Sequence, residues 1–525
     1  MLLIGCSNIA NMLLARAGGR QREMAIRASL GAERGRLVRQ LLTESAMLGA
    51  VGGGLGIFAA VWLEAVLVDA LPASLPRVDA IQIGAPELLF AAALSLVAAL
   101  AAGFLPALRA TRPQARGELR AGGGRASIDR RKHRLNQGLV AAEIALSVVL
   151  MAGAGLMLKS LWLLQKVEPG FDSHRLLALR LSPPEAHYPD AESLSVYYQQ
   201  VLEEVRATPA VTAASAINLL PMTPANVRMG YGTSATPAEP MSSAPVASVR
   251  AVAPSYFRAM GIPLIAGRDV EAADREGATE VGWVNQTLAS RWWPGEDPTG
   301  RQIYWNDGTP WFTIAGVTRD IRQHRLHQEP RAAVYRPFHQ AGDELLSNAM
   351  FLTVRTATEP AAVAPALRQA IHGVDSDVPI EHRPMEQVID GSLASSRFFT
   401  SLLTAFGALA LVLGAIGVYG VGSYAASRRT REIGIRMALG ARRRMMLRAL
   451  MTRELMPVAV GVGLGLAGAL VATRSLTGSL YGVSATDPAI LSVAAMTLTA
   501  VAAAASFLPA RRAAGVDPII ALRAD

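Results

Sequence analysis

The sequence predicts a polytopic α-helical membrane protein of about seven spans, with an α+β domain inserted on the extracytoplasmic side. Three observations lead to this prediction: apolar stretches of bilayer length, arginines concentrated in alternate loops, and an internal repeat. The 525 residues are 51% hydrophobic and 18% charged. That mixture is too apolar for an ordinary soluble protein and too charged for a bare membrane bundle, so it indicates both kinds of segment in one chain.

Membrane spans are the first element to justify. A helix needs about 20 apolar residues to cross the hydrocarbon core of a bilayer. Two runs carry no charge between their ends, from Arg397 to Arg428 and from Asp487 to Arg511. A buried helix of a soluble protein could explain any single run, but it does not explain so many in one chain. The predicted spans are 1–16, 44–69, 87–108, 137–165, 398–427, 455–473 and 488–510.

The placement of arginine predicts the orientation. The segments that follow the first, third and fifth spans are rich in arginine, whereas the alternate short loops hold only Arg77 and Arg474. Because cytoplasmic loops carry the excess of lysine and arginine, the basic segments are predicted to face the cytoplasm. Residues 168–396 then lie outside. The net charge of +10 therefore indicates a membrane surface and not nucleic acid.

The outer segment has the pattern of a folded α+β domain. Leu176–Leu181 and Val211–Ile217 are strand-like and flank a helix-like stretch, Ala191–Ala207. A second strand–helix–strand group follows at residues 351–356, 361–373 and 378–381. Shorter strands are predicted between the two groups, at 281–285 and 311–317. The tryptophans of this segment are predicted to be core residues, with a partner-binding surface as the alternative. They are Trp283, Trp292, Trp293, Trp305 and Trp311.

An internal repeat organises the membrane part. Residues 22–32 read REMAIRASLGA and residues 431–441 read REIGIRMALGA, an offset of 432 − 23 = 409. The offset holds through the next span. It then becomes 507 − 104 = 403, where FLPALRA at 104–110 matches FLPARRA at 507–513. Such self-similarity indicates a duplicated module of three spans.

The repeat also predicts the domain boundaries. The first copy has no counterpart of the residues just before Ala410 or of the outer domain, and its first span is only about 15 residues long. We therefore expect the chain to be an N-terminally truncated piece of a longer protein, or its start to be misassigned. The predicted domains are a first membrane module at 1–110, a basic cytoplasmic linker at 111–136, a transmembrane helix at 137–167, the outer domain at 168–396 and a second membrane module at 397–525.

The repeated R-E-x-x-x-R-x-x-L-G-A motif resembles the FtsX-like permease family. The outer segment is similar to the MacB-type periplasmic core domain in SYFRAMGIPLIAGRDV (255–270), VNQTLASRWWPGEDPTGRQI (284–303) and FTIAGVTRDIR (312–322). Two such modules in one chain resemble the duplicated orphan permeases known as the ADOP type. The resemblance implies a multi-pass protein of the bacterial inner membrane that works with a separate cytoplasmic ABC ATPase.

Each copy of the motif contains four candidate coupling residues. Its glutamate and second arginine stand four apart on one helix face, in the favourable glutamate-first order. Its glycine suits a helix end or a close approach of two backbones. The candidates are Glu23, Arg27, Gly31, Ala32, Glu432, Arg436, Gly440 and Ala441.

The resemblance implies a role for these residues. Segments 18–42 and 428–452 are amphipathic, basic and helical in pattern, and each contains the Leu-Gly-Ala turn. The family implies that they dock on the ATPase. The alternative is that they lie on anionic lipid headgroups, and the two interpretations are compatible.

Small residues within the spans predict helix packing. Gly52 with Gly56, and Gly461 with Gly465, form G-x-x-x-G pairs, and small residues let helix backbones approach closely. The alternative is the ordinary tolerance of membrane helices for glycine. Glu143 is the one ionisable residue clearly inside a predicted span. We interpret it as an interfacial glutamate near the cytoplasmic end, with a proton or substrate role as the alternative.

The sequence contains no motif for nucleotide, metal or hydrolase chemistry. Lys159–Ser160 lacks the glycine of a phosphate-binding loop, and Gly295–Gly300 is followed by arginine and glutamine. His324, His327 and His339 have no accompanying H-E-x-x-H motif, so a surface loop is the preferred interpretation over a metal site. We therefore predict no enzyme activity, no cofactor and no metal in this chain.

These patterns predict a permease subunit that couples a separate ATPase to the outer domain, for efflux or for mechanotransmission. The expected partners are membrane lipid, a cytoplasmic ABC ATPase and a periplasmic protein, and nucleic acid is not among them. One alternative is a non-transporting scaffold or signalling protein of the FtsX regulator kind. Another is a permease relic that works without an ATPase.

Overall fold

The computed structural model describes residues 5, 8, 34–70, 84–110, 125–223, 225–233, 244–304, 310–342, 345, 349–439 and 441–515. Its contacts divide the chain into a membrane unit, Met1–Leu163 with Ser396–Asp525, and an outer unit, Leu164–Ser395. The first predicted span, apart from residues 5 and 8, lies outside the described residues, as do residues 18–33 of the first basic segment.

Long helices make up the described part of the membrane unit. They are α1 (Arg34–Ala70), α2 (Ala85–Ala110), α3 (Arg125–Leu164), α8 (Met385–Ala438, which begins in the outer unit), α9 (Arg443–Ala472) and α10 (Pro488–Ala513). Among the described residues, five of these helices are long and apolar enough to cross a membrane. The sixth, α2, contains a shorter apolar stretch, Ala85–Leu100.

The core of the membrane unit forms where α3, α8, α9 and α10 meet. Its buried side chains are mostly β-branched or small, which suits close helix packing in a bilayer. Large apolar residues on other faces, such as Phe58 of α1, are exposed, as expected of surfaces that contact hydrocarbon. The buried cluster consists of Val140, Ile144, Val148, Val418, Val421, Val458, Leu498 and Ala502.

The helices extend beyond their predicted spans, most of all in α1, α3, α8 and α9. Helix α3 begins at Arg125, inside the predicted linker, and α9 begins at Arg443, before the predicted span 455–473. Helix α8 continues past residue 427 as far as Ala438. Arginine, glutamate, methionine and alanine all favour helix, so the charged segments continue the helices that the apolar runs begin.

The outer unit is built from strands and short helices. Its strands are β1 (Leu176–Leu181), β2 (Val211–Ile217), β3 (Arg228–Gly230), β4 (Gly232–Thr233), β5 (Val246–Val252), β6 (Leu264–Gly267), β7 (Val281–Asn285), β8 (Gln302–Tyr304), β9 (Pro310–Thr318), β10 (Ala333–Pro337), β11 (Met350–Thr356) and β12 (Ile380–Pro384). Its helices are α4 (Ala191–Ala207), α5 (Tyr256–Met260), α6 (Gln286–Trp292) and α7 (Pro360–Val374).

These strands form one mixed sheet in the order β12-β1-β11-β2-β5-β10-β7-β9-β8-β4. Strand β3 pairs with β5 and β6 pairs with β9. The β5–β10 and β7–β9 pairs are parallel, and the other pairs are antiparallel. The two groups predicted from the sequence therefore interleave, because β1 of the first group lies between β11 and β12 of the second.

Local patterns predict most of these elements. The predicted strands at 176–181, 211–217, 281–285 and 351–356 and the predicted helices at 191–207 and 361–373 are confirmed to within a residue. Helix α4 begins with a capping box, in which the Asp190 carboxylate accepts from the Ser193 backbone N–H at 2.8 Å. The strand predicted at 378–381 is found at Ile380–Pro384, two residues later than expected.

The tryptophans occupy the core of the outer unit, as predicted for those that the structure describes. Trp283, Trp293 and Trp311 are buried. Trp292 is half-buried, and its indole N–H donates to the Tyr231 hydroxyl at 2.9 Å. Trp305 lies outside the described residues.

A buried arginine, Arg336 of β10, also lies in this sheet. Its guanidinium donates to the Glu280 carboxylate and to the Val281 carbonyl, and it lies 5.1 Å from the centroid of the Phe312 ring. Burial lowers the pKa of Arg336, and the hydrogen bond to Glu280 opposes that shift. The charge is tolerated in the interior because it has these partners.

Gly267 allows β6 to approach β9. Its φ is +79°, and a Cβ there would meet the Ala315 carbonyl oxygen and the Gly316 Cα. Gly277 has a similar φ of +78°, but in the described part of the chain a Cβ there meets nothing within 4 Å. The two glycines thus have the same backbone requirement, and only Gly267 is also sterically confined.

We predict that Gly267→Ala destabilises the outer unit far more than Gly277→Ala. The control substitution should cost about 1–2 kcal/mol, the usual penalty of a left-handed backbone with a Cβ. Gly267→Ala should cost at least about 1–3 kcal/mol more because backbone atoms must move apart. Denaturant unfolding followed by tryptophan fluorescence measures both values, and equal losses would contradict the prediction.

Candidate coupling site

The site of interest is the turn that joins α8 to α9, residues 435–445, which we call the coupling turn. Helix α8 ends here because the Ala441 N–H donates to the Arg436 carbonyl at 2.9 Å. The Leu439 N–H also donates to the Ile435 carbonyl at 3.0 Å. A bond from one residue back to the fifth before it is the signature of a Schellman helix end, whose next-to-last position favours glycine. Gly440 occupies that position in the sequence and itself lies outside the described residues.

A second helix starts directly after this turn. Arg442 is the N-cap of α9, and the backbone N–H groups of Met445 and Met446 donate to its carbonyl at 2.9 and 3.2 Å. The predicted basic segment 428–452 is therefore two helices that meet at the Leu-Gly-Ala turn, and not one helix. The sequence prediction placed the turn correctly but missed that the helical pattern restarts after it.

The inner side of the coupling turn is anchored. Met446 and Leu450 of α9 are buried against Ala510 and Ala513 of α10. Met437 of α8 packs against the same cluster, as do Ala441, Leu447 and Met451. The turn is thus fixed to the ends of three helices, so a force applied to it would act on all of them.

The outer side of the coupling turn is apolar at its tip and basic around it. Leu439 has 83% of its surface exposed, and Ile435 and Met445 are exposed as well. Arg436 and Arg442 flank the tip and are also exposed. A protruding leucine beside guanidinium groups is typical of a surface that contacts another protein. Sequence reasoning missed Leu439, although an apolar residue in the middle of a basic motif was a usable signal.

The remaining candidate coupling residues have the following places. Glu432 lies within α8, and its side chain is not among those described. Ala441 is half-buried against the anchoring cluster. Gly440 lies outside the described residues. So do all four candidates of the first copy, which are Glu23, Arg27, Gly31 and Ala32.

The glycine pair of the second copy lies where two membrane helices approach closely. A Cβ at Gly461 would stand 2.6 Å from the Ala141 carbonyl oxygen, and one at Gly465 would stand 2.7 Å from the Val148 Cβ. Both glycines are buried, and both face α3. Helices α3 and α9 therefore pack with their backbones almost in contact, which a side chain at either position would prevent.

The glycine pair of the first copy is placed differently. A Cβ at Gly52 or Gly56 meets nothing within 4 Å among the described residues. The close approach in α1 instead involves Gly49, whose added Cβ would stand 2.5 Å from the Ala99 Cβ of α2, and Gly53, 3.2 Å from the Ser95 Cβ. The two copies of the repeat thus have glycines at equivalent positions, but α1 packs on its neighbour through a different face from the one that α9 uses.

Glu143 is buried between helices. Only 2% of its surface is exposed, and its carboxylate accepts a hydrogen bond from the Asn8 side-chain amide at 2.7 Å. The side chain is therefore enclosed by helices, and its position near the cytoplasmic end of the span stays a prediction. The reason for the enclosure is tertiary: α8 presents Gly417 at this level, which leaves room for the glutamate between helices.

The histidines do not converge. His339 contacts the Ser195 hydroxyl, and burial lowers the pKa of His324 and of His327. Among the described residues, the group with metal-ligand spacing is instead His187, Asp375 and Asp377. Asp375 already accepts from the Tyr188 hydroxyl at 3.0 Å, so internal hydrogen bonds account for this grouping.

Family models match almost the whole chain. The model of the FtsX-like permease C-terminal domain matches residues 1–115 and again 404–518. The model of the MacB-like periplasmic core domain matches residues 144–371. The two matches to one model at both ends agree with the internal repeat.

Curated proteins show related sequences. The macrolide export ATP-binding/permease protein MacB of Rhodospirillum rubrum is 31% identical over 290 residues, which cover 52% of this chain and 42% of that protein. MacB of Azoarcus sp. (strain BH72) is 29% identical over 282 residues, with coverages of 52% and 42%. The pyoverdine export ATP-binding/permease protein PvdT of Pseudomonas syringae is 28% identical over 273 residues, with coverages of 50% and 40%. The aligned part of the chain spans less than half the length of these relatives.

Solved structures of outer domains also match. The periplasmic region of MacB from Actinobacillus actinomycetemcomitans aligns with a TM-score of 0.29 and 11% identity, over 42% of this chain and 94% of that one. The extracellular domain of the noncanonic ABC-type transporter YknZ from Gram-positive bacteria aligns with a TM-score of 0.26 and 13% identity, over 39% and 99%.

We predict that Gly461→Ala destabilises the membrane unit and that Gly52→Ala, at the equivalent position of the repeat, does not. The added methyl at 461 would meet the Ala141 carbonyl oxygen, whereas the methyl at 52 meets nothing within 4 Å among the described residues. We expect a loss of about 1–3 kcal/mol for the first, as for overpacked cores. For the second we expect little change, because alanine favours helix more than glycine does. Thermal unfolding of the protein in detergent measures both, and equal stability of the two variants would contradict the prediction.

Proposed function

The chain belongs to the FtsX-like permeases, with two such domains and a MacB-like periplasmic core domain between them in sequence, and we propose that it is the permease subunit of an ABC-type transport system. It is a multi-pass membrane protein with an extracytoplasmic segment. In the proposed system a separate cytoplasmic ATPase binds the coupling turn, and the membrane helices transmit its movement to the outer unit.

The observation that carries this proposal is the exposed tip of the coupling turn. Leu439 protrudes from a turn whose inner side is fixed to α9 and α10. Exposure of a large apolar side chain to water is unfavourable on a free cytoplasmic surface. The same side chain, held in place by a packed turn, can serve as the anchor of a protein interface. We infer that Leu439 fills an apolar pocket on the ATPase.

The charge around the tip defines the partner further. Arg436, Arg442 and Arg444 are exposed near Leu439. Arginine pairs well with carboxylates across an interface, and such complementarity favours partner selection and rapid association. The partner surface is therefore proposed to be an apolar pocket with an acidic rim. The names of the curated relatives pair ATP binding with a permease, which supports an ATPase as the partner.

Transmission is supported by the continuity of α8. This helix runs without a break from Met385, in the outer unit, to Ala438, at the coupling turn. Movement of the turn would act on the same helix that leads into the outer unit. If the two ends are coupled, a ligand of the outer unit should change the affinity for the ATPase by the same factor as the ATPase changes the affinity for that ligand.

The work done outside the membrane is proposed to be efflux or mechanotransmission by the outer unit, together with a periplasmic partner protein. The names of the relatives, macrolide export and pyoverdine export, support export as the class of activity. Membrane lipid is the expected surrounding of the helices.

We predict that Leu439→Ser, combined with Leu30→Ser at the equivalent position of the repeat, abolishes copurification of an ATPase. The full-length protein is purified in detergent from its native host, and ATP hydrolysis is measured in the eluate. Losing a buried interface anchor typically costs about 2 kcal/mol or more, or roughly 30-fold in affinity. Glu23→Lys with Glu432→Lys should have the same effect through the charged part of the motif.

The control is Val471→Ser, which removes an exposed apolar side chain at the opposite end of α9. This variant should retain the ATPase. If no ATPase copurifies even with the unaltered protein, the transport proposal fails and a membrane scaffold or permease relic that works without an ATPase replaces it. If the coupling-turn variants instead lose binding to vesicles of anionic lipid and keep the ATPase, the turn is a lipid-binding surface.

A further inference from the structure

The buried pair of Asn8 and Glu143 has a feature that the proposed function does not use. The Asn8 amide nitrogen donates to Glu143 Oε1 at 2.7 Å and to the Leu413 carbonyl at 3.0 Å. Both side chains are buried in the membrane unit. The remaining oxygen of each group, Asn8 Oδ1 and Glu143 Oε2, is buried and has no hydrogen-bond partner among the described residues.

The orientation of the Asn8 amide is set by its neighbours. If the amide were rotated so that nitrogen and oxygen changed places, its oxygen would face two other acceptors, Glu143 Oε1 and the Leu413 carbonyl. The observed orientation satisfies both of these oxygens, so it is the one that the hydrogen-bond network supports. The consequence is that Asn8 Oδ1 remains as an acceptor for a further hydrogen bond.

The two oxygens without partners face the same point. Each lies 2.5 Å from the position that a Cβ on Gly417 would take. The two oxygens are therefore at most 2.5 + 2.5 = 5.0 Å apart, and among the described residues each lacks the hydrogen bond that burial demands.

A single proton on the Glu143 carboxylate would give both of these oxygens a hydrogen-bond partner. A protonated carboxyl group can donate from Oε2 to the amide oxygen while it accepts at Oε1 from the amide nitrogen, which forms a closed ring of two hydrogen bonds. We propose that Glu143 and Asn8 form a proton-binding site in the membrane unit, in which the neutral carboxyl of Glu143 joins the first span to α3 and α8.

The surrounding charges support a neutral carboxyl. Among the described residues no cation contacts Glu143. The charged groups that face this part of α8 from the packed helices are Glu454 of α9, 3.8 Å from the Cβ position of Gly422, and Arg512 of α10, which donates to the Tyr419 hydroxyl at 3.2 Å. Neither offers a counterion to Glu143. A buried carboxylate without a counterion is far more costly than a neutral carboxyl with two hydrogen bonds.

The repeat explains why the site can exist. Position 8 of the first copy corresponds to 8 + 409 = 417 of the second. The two copies therefore meet at equivalent positions, with asparagine in one and glycine in the other. The glycine supplies the space that the asparagine and the glutamate occupy, so the site depends on the two copies having diverged at this position.

Glu143→Gln is the decisive variant. A glutamine amide donates to Asn8 Oδ1 and accepts from Asn8 Nδ2, so it reproduces both hydrogen bonds of the neutral acid. The full-length protein in detergent at neutral pH should lose one protonated-carboxyl band from its infrared spectrum on this substitution, with no change in its thermal midpoint. Glu143→Ala should also lose the band, and its midpoint should fall by several degrees. Asn8→Leu should keep the band but move it to higher wavenumber, because the carboxyl loses its hydrogen-bond partner.

Glu454→Gln is the matched control, since Glu454 is a half-buried glutamate in a neighbouring helix. It should leave the protonated-carboxyl band unchanged. An infrared spectrum identical in the unaltered protein and in Glu143→Gln would overturn the proposal, because Glu143 would then be ionised. A midpoint lowered as much by Glu143→Gln as by Glu143→Ala would also overturn it, because the acid–amide geometry would then be incorrect. These readouts do not involve an ATPase, so they are independent of the proposed function.

Discussion

The close approach of α3 to α9 is the contact on which the membrane unit depends. At Gly461 and Gly465 the backbone oxygens of Ala141 and Ala145 lie where a side chain would otherwise be. Helices in a bilayer gain little from the hydrophobic effect when they associate, so van der Waals contact at such small residues provides much of the attraction. The buried cluster that α3 shares with α8, α9 and α10 forms around this contact.

The same arrangement determines where the coupling turn is. Since α9 is held against α3 and packs on α10 through Met446 and Leu450, its start is a fixed point. The Schellman end of α8 then directs Leu439 outward. As the proposed interface residue, Leu439 would need no rearrangement before binding, which would reduce the entropic cost of association. The geometry thus links a packing requirement inside the membrane to a binding surface outside it.

The two copies of the repeat have taken different roles in spite of their similar sequences. The second copy packs Gly461 and Gly465 against α3, whereas in the first copy Gly49 and Gly53 face α2. At position 8 and its equivalent 417, the copies carry asparagine and glycine, and both surround Glu143. Divergence after duplication therefore appears in the contacts that helices make, and not in the helices themselves.

Much of the fold could be predicted from local pattern. The apolar runs predicted the helices between Arg397 and Arg511, the alternation predicted β1 and β11, and the Leu-Gly-Ala motif predicted the end of α8. These are determined by the sequence itself, because helix length, strand alternation and helix ends depend on residues close together in the chain. Tertiary structure alone decided the interleaving of β1 between β11 and β12, the exposure of Leu439 and the burial of Glu143. Each of these depends on which distant residues share a space, and sequence spacing contains no record of that.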